Sequence, residues 1–169
     1  MRKAETEAYL QFAAVRTGHL YRSACLLASG DTHLAEDLVQ ETLGRMYVVW
    51  GRMAKVGNPA GYAQTVLVRV FLTHQRRRSS KERPSAELPD GPAGAGGDAT
   101  LRVTLLDALA RLTSRDRAVL VLRYWEDRSI EETAEALQAT PGAIRTRSVR
   151  ALARLRTELG GSLAELIAH

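Results

Sequence analysis

Five arginines lie close together near the carboxyl end of the sequence. Residues 141–156 contain no aspartate or glutamate but hold Arg145, Arg147, Arg150, Arg154 and Arg156. A guanidinium group attracts phosphates, and its planar fork can also pair with guanine in the major groove. The segment therefore predicts a helix that binds DNA. The alternative is an arginine-rich amphipathic helix that packs in a bundle.

Helical geometry divides this segment into two faces. Ile144, Leu152 and Leu155 fall on the packed side. The residues that project together on the other side, and are expected to face DNA, are Arg145, Thr146, Val149 and Arg150. Arg147 joins this candidate set as a phosphate contact, although Arg147, Arg154 and Arg156 fit solvated charges equally well.

The surrounding spacing predicts a helix-turn-helix. A short helix from Ile130 to Leu137, a turn over residues 138–140 and a longer second helix give the required layout. Helix starts are indicated by Thr113 with Asp116, by Ser129 with Glu132, and by Thr140 before Pro141. We expect helices at 101–112, 114–125, 130–137 and 141–159, the last ending at Gly160-Gly161.

The first part of the chain also has helical periodicity. Asp31 or Thr32 can cap a helix that has apolar residues at steps of three and four, namely Leu34, Leu38, Val39, Met46, Tyr47 and Trp50. Gly51 is expected to open an irregular stretch that lasts to Asn58. Asn58 followed by Pro59 starts a further helix that runs to about Arg78.

Composition and charge indicate two domains around a linker. Aromatic residues make up only 5% of the chain, and alanine, leucine, arginine and glutamate recur, which favours an all-α fold. Residues 79–100 hold three of the five prolines and carry net charge −2, between segments of +5 and +2. We expect about four helices in a first domain at 1–78, a flexible linker at 79–100, and a helix-turn-helix domain at 101–169.

The inventory of reactive groups gives no enzyme signature. His19, His33, His74 and His169 are not spaced with acids or cysteine as metal ligands, and no glycine-rich phosphate loop or nucleophile motif occurs. The single cysteine, Cys25, lies in an apolar run and is expected to be buried. We expect no catalytic residue, no metal and no cofactor. Since no signal peptide or membrane span is indicated, we expect a cytoplasmic protein.

The second segment resembles a known family. Residues 107–156 read DALARLTSRDRAVLVLRYWEDRSIEETAEALQATPGAIRTRSVRALARLR and are similar to region four of extracytoplasmic-function sigma factors. The matching positions are Leu112-Thr113, Arg115, Arg117, Leu122-Arg123-Tyr124, Ile130 to Ala134, Leu137, Gly142 to Arg147 and Arg150-Ala151. The resemblance implies that this helix-turn-helix reads the minus-thirty-five promoter element.

The first segment resembles the same family independently. Residues 35–50, AEDLVQETLGRMYVVW, are similar to region 2.2, and residues 58–78, NPAGYAQTVLVRVFLTHQRRR, to regions 2.3 and 2.4. The resemblance implies that Asp37, Gln40 and Glu41 bind the clamp helices of the polymerase's largest subunit. It also implies a minus-ten DNA site supplied by Lys55, Asn58, Arg69, His74, Arg76, Arg77 and Arg78. Tyr62 and Phe71 are either stacking surfaces or core residues.

The resemblance implies a promoter-selecting subunit of RNA polymerase that binds promoter DNA, and it leaves open whether an anti-sigma protein holds the factor. The alternative is a helix-turn-helix regulator that acts without joining the polymerase. Three positions depart from the family pattern, which commonly has Asn at Arg69, Asp at Thr73 and Gly at Gln138. The departure at Gln138 predicts an unusual backbone geometry in the turn.

Overall fold

The computed structural model describes residues 2–81 and 97–168, with side chains left aside at positions 54, 56, 80–81, 97–98 and 161–168. These residues form seven α-helices and contain no strand, which confirms the all-α prediction. In chain order the helices are α1 (Lys3–Leu27), α2 (Thr32–Val56), α3 (Pro59–Lys81), α4 (Gly97–Ala110), α5 (Ser114–Leu120), α6 (Ile130–Leu137) and α7 (Pro141–Ala168). Helix α5 continues into a π-helical turn at Val121–Trp125.

The first half consists of three long helices rather than about four. The irregular stretch expected from Gly51 is absent because α2 continues to Val56. A single glycine costs a helix only about 1 kcal/mol, and Met46 and Trp50, both buried, hold this part of α2 against its neighbours. The connection to α3 is reduced to Gly57 and Asn58, and both have positive φ.

Two boundaries in the second half also differ from expectation. Helix α4 begins at Gly97, before the expected residue 101. Helix α7 passes through Gly160 and Gly161 and ends at Ala168, so the predicted stop at these glycines is wrong. A glycine ends a helix when it adopts a left-handed conformation. Here both glycines continue the helix, so that α7 extends through residues 162–168.

The residues that the sequence indicated as helix N-caps are confirmed. The side chains of Asp31, Thr113, Ser129 and Thr140 each accept a backbone N–H three residues later, and Asn58 does the same for Gly61 N at 3.0 Å. Ser129 and Glu132 form a complete capping box. Gln138 has φ 54° and ψ 47°, so the unusual turn geometry expected at this position is present.

The two halves pack against each other through one apolar cluster. Leu27 and Phe71 from the first half share this cluster with Val119 and Leu122 from the second half. The ends of the expected linker are helical, since α3 reaches Lys81 and α4 starts at Gly97. The flexible-linker prediction for residues 82–96 lies outside the described residues. Among the described helices, none has both the length and the apolar content needed to cross a membrane.

Candidate DNA-binding and polymerase-binding surfaces

Helix α7 presents the expected DNA face to solvent. Arg145, Thr146 and Arg150 are exposed, and Val149 is 66% exposed although it is apolar. Ile144 on the opposite side is buried, as the helical periodicity predicted. The candidate residues therefore share one open face of the second helix of the helix-turn-helix.

Arg147 has a different environment from its neighbours. Its Nη1 atom lies 2.9 Å from Oδ1 of Asp116, and Nη1 of Arg154 lies 3.6 Å from Oδ2 of the same carboxylate. Asp116 is only 8% exposed. The sequence paired Asp116 with Thr113 as a helix-start signal, and the Asp116 carboxylate joins α5 to α7. Arg147 and Arg154 are thus structural partners of α5.

The candidate polymerase-binding residues lie together on the outer surface of α2. Asp37, Gln40 and Glu41 are all exposed. Glu41 forms an ion pair with Arg45 one turn later, at 2.8 Å. Such an exposed pair contributes little stability, so this acidic surface is available to a basic partner.

The candidate minus-ten residues do not form one uniform surface. Lys55 is exposed in the last turn of α2, and Asn58 is exposed where it caps α3. His74, Arg76, Arg77 and Arg78 are exposed along the second half of α3. Phe71 is fully buried and therefore belongs to the core, and Tyr62 is partly buried against it.

Arg69 stands apart from the other minus-ten candidates because it contacts the second half of the chain. Its Nε donates to the carbonyl oxygen of Ala136 at 2.8 Å, and its Nη2 donates to that of Glu135 at 3.2 Å. Both carbonyls belong to the last turn of α6. The guanidinium therefore caps a helix of the helix-turn-helix.

Two further arginines cross between the halves in the opposite direction. Arg117 donates to the carbonyl oxygen of Leu27 at 2.8 Å and to the Ser29 hydroxyl, and its guanidinium lies 5.4 Å from the centre of the Phe71 ring. Burial lowers the pKa of Arg117 to about 10, so the side chain remains charged at neutral pH. Arg128 donates to the Gly61 carbonyl and to the Thr65 hydroxyl.

A polar cluster completes the contact between the halves. Glu126 accepts a hydrogen bond from the Ser23 hydroxyl at 2.6 Å and lies 2.8 Å from Nε2 of His19. The indole N–H of Trp125 donates to the same hydroxyl at 3.2 Å. In a serine–histidine–acid relay the hydroxyl donates to histidine, whereas here it donates to the carboxylate. The geometry therefore fits a structural contact.

Sequence reasoning missed these interdomain residues. His19 and Glu126 are 107 positions apart, and Arg117 and Leu27 are 90 apart. A short-range pattern carries no signal for such pairs. Within the described residues, no group of three or more His, Cys, Asp or Glu side chains is arranged to hold a metal ion.

The comparisons with known proteins agree with both halves of this architecture. Residues 13–81 match the family described as Sigma-70 region 2, and residues 108–157 match Sigma-70, region 4. The RNA polymerase sigma-E factor of Streptomyces coelicolor is 37% identical over 153 residues, covering 88% of this chain and 84% of that protein. The ECF RNA polymerase sigma factor SigL of Mycobacterium tuberculosis is 33% identical over 168 residues, covering 90% and 88%.

A solved structure shows the same fold. The sigma factor RpoE of Bartonella quintana, in complex with the anti-sigma factor NepR, superposes with a TM-score of 0.71 at 24% identity, covering 91% of this chain and 98% of that one. The helical halves, the helix-turn-helix and the cationic helices define a DNA-binding transcription initiation factor. The chain belongs to the sigma-70 family, as an RNA polymerase sigma factor of the extracytoplasmic-function type.

Proposed function

We propose that this sigma factor divides promoter recognition between its two halves. The second half reads the minus-thirty-five duplex through Arg145, Thr146, Val149 and Arg150, with Arg147 at the edge of this face. The observation that carries the proposal is the common exposed face of these residues on α7, opposite the buried Ile144. The first turns of a recognition helix enter the major groove, where side chains reach base edges.

The first half docks on the polymerase and handles the minus-ten DNA. Asp37, Gln40 and Glu41 bind the core enzyme, because their exposed acidic surface suits a basic partner. The cationic track for the released strand consists of exposed groups at the end of α2 and along α3, which are Lys55, Asn58, His74, Arg76, Arg77 and Arg78. The guanidinium of Arg69, the remaining minus-ten candidate, is bonded to α6.

The functional domains are residues 1–78 and 101–169, joined by a linker at 79–100. The protein acts in the cytoplasm, where promoters are, and catalyses no reaction itself. Because RpoE of Bartonella quintana was solved with an anti-sigma factor, NepR, we extend that kind of partner to this chain as well.

The first test is gel filtration of the purified chain with core RNA polymerase. We expect co-elution, and transcription from a cognate promoter when DNA is added. A chain that binds DNA but elutes apart from core polymerase would instead be a helix-turn-helix regulator acting alone.

Charge reversal tests the docking surface. Asp37→Lys combined with Glu41→Lys should weaken binding to core polymerase by at least about 100-fold, because like charges at an interface cost several kcal/mol. The matched control combines Glu7→Lys with Glu131→Lys, two exposed acids outside this surface that give the same change in net charge. Circular dichroism should be the same for both variants. Normal co-elution of the first variant would contradict the assignment to α2.

A further inference from the structure

The contact of Arg69 with α6 satisfies a specific structural need. The last carbonyl oxygens of a helix lack intrahelical donors and carry the negative end of the helix dipole. In α6 the carbonyl of Ala136 receives Nε of Arg69, and that of Leu137 receives Arg115 at 3.1 Å. The carbonyl of Glu135 receives Nη2 of Arg69 in addition to the backbone N–H of Gln138. Arg115 lies within the helix-turn-helix half, whereas Arg69 comes from the other half of the chain, 67 positions away from Ala136.

The three arginines that cross between the halves share one kind of acceptor. Arg69, Arg117 and Arg128 all donate to backbone carbonyl oxygens of the opposite half. Hydrogen bonds from charged donors are stronger than neutral ones. If the halves separated, however, each of these guanidinium groups could bond to water or to an anion instead of the carbonyl. The contact is therefore of a kind that can open and close.

The recess beside Arg69 carries acidic groups of the second half. It has a volume of about 580 Å³, and its charged lining consists of Arg16, Arg69, Glu126, Asp127, Arg128, Glu132 and Glu135. Glu126 is engaged with Ser23 and His19, and Arg128 with Gly61 and Thr65. Because carboxylates repel phosphates, the other three acids make this recess less favourable for a nucleic acid.

The observed arrangement also conflicts with the span of a promoter. Elements at minus ten and minus thirty-five are centred about 25 base pairs apart, which is about 85 Å at 3.4 Å per base pair. Halves that are bonded to each other through Arg69 cannot occupy both elements. Promoter recognition at two elements therefore requires the halves to separate.

We propose that Arg69 is a latch that holds the sigma factor closed by capping α6, and that the arginine at this position serves interdomain closure rather than base reading. Asparagine at this position would be too short to replace a guanidinium that reaches two carbonyls across an interface. Apolar contacts such as Phe71 with the second half support the closed state as well. Removing Arg69 therefore shifts the equilibrium toward the open state without making closure impossible.

The test measures the distance between the halves in the full-length free chain. Spin labels are placed at Gly44→Cys on α2, where a side chain meets nothing within 4 Å, and at the exposed Ala153→Cys on α7, in a Cys25→Ala background. Arg69→Asn should raise the ratio of open to closed molecules by at least about fivefold, because charged hydrogen bonds are lost only in the closed state. Arg69→Lys keeps the charge but loses the two-pronged donor geometry of the guanidinium. Its ratio of open to closed molecules should therefore lie between those of the wild type and Arg69→Asn.

Arg52→Asn is the matched control. It removes another arginine of the first half, which is exposed on α2. Its distance distribution should equal that of the wild type, and circular dichroism should show that every variant is folded. The latch is overturned if Arg69→Asn and Arg69→Lys both keep the wild-type distribution, or if the unsubstituted chain is already open.

The consequence for promoters rests on the proposed function, but the distance measurement does not. Wild-type transcription with core polymerase is therefore measured in parallel. If neither the wild type nor Arg69→Asn supports transcription while Arg69→Asn opens the free chain, the proposed function is wrong and the latch stands. If the wild type transcribes and the distances do not respond to Arg69, the latch is wrong and the proposed function stands.

Discussion

Arg147 and Asp116 lie 2.9 Å apart, and their ion pair joins the recognition helix to the helix that begins at Ser114. Asp116 is almost completely buried and is also near Arg154, at 3.6 Å. One carboxylate therefore fixes the position of α7 through two of its arginines. This relationship separates Arg147 and Arg154, which hold α7 in place, from Arg145 and Arg150, which are exposed.

Asp116→Ala should lower the free energy of unfolding by about 1–3 kcal/mol, because charged hydrogen bonds are lost and the arginines keep only partial access to water. Urea denaturation measures the change. Asp107→Ala, at an exposed position on α4, is the control and should stay within about 0.5 kcal/mol of the wild type. Equal stabilities for the two variants would show that the ion pair does not brace α7.

The capping box of α6 predicts a pH dependence. Hydrogen bonds from the backbone N–H of Ser129 and with its side chain lower the pKa of Glu132 from its usual 4.5. A carboxylate with a lowered pKa stabilises the fold above the usual pKa, and this contribution is lost as the pH falls through the folded-state value. Glu132→Gln should therefore reduce the acid-dependent loss of stability below about pH 4.5.

Denaturation at a series of pH values measures this effect, with Glu131→Gln as the control in the same helical turn. The control should follow the wild-type profile because Glu132, and not Glu131, completes the capping box. A wild-type slope in Glu132→Gln would mean that the box does not contribute to acid sensitivity.

Gln138 offers a substitution that should stabilise the protein. It occupies the left-handed region, with φ 54°, and it is exposed. Left-handed backbone costs a non-glycine residue about 1–2 kcal/mol, part of which is offset by the greater freedom of glycine in the unfolded chain. Gln138→Gly should raise the free energy of unfolding by about 0.5–1 kcal/mol, and Gln138→Ala should not. Destabilisation by glycine would show that the Gln138 side chain makes a necessary contact.

Local signals predicted much of the architecture. Four helix N-caps could be predicted from the sequence, namely Asp31, Thr113, Ser129 and Thr140. An N-cap is a local feature, because it needs only a polar side chain three residues before the backbone N–H that it accepts. The exposed face of α7 followed from helical periodicity. The wrong predictions at Gly51 and Gly160 have one physical cause, because a glycine permits a helix to end but does not force it to.

The contacts between the halves could not be predicted in the same way. The resemblance implies a DNA site for Arg69, and it gives no sign of the bonds that its guanidinium makes to α6. The hydrogen bond from Arg117 to the carbonyl of Leu27 depends on how the two halves of the chain dock against each other. Docking is decided by the complementarity of complete surfaces, and spacing along the chain does not contain that information.

Arg150 and Arg156 are both exposed on α7 and differ mainly in their distance from its start. Because the first turns of a recognition helix enter the major groove and later turns rise toward the backbone, we expect Arg150 to read bases and Arg156 to touch phosphates. Arg150→Ala should then cost about 1–3 kcal/mol on the preferred promoter and relax the preference at one or two positions. Arg156→Ala should weaken binding to all sequences alike and reduce the salt slope by about one unit.

The measurement belongs on the polymerase holoenzyme, because in the free chain the two halves are packed together through Arg69 and Arg117. Promoter variants are compared at several salt concentrations, so that base preference and phosphate contacts are separated in one data set. The two arginines serve as controls for each other, since each substitution removes the same charge from the same helix. If Arg150→Ala lowers affinity uniformly and leaves base preference unchanged, Arg150 is a phosphate anchor, and the reading face of α7 is shifted by about one residue from the one proposed.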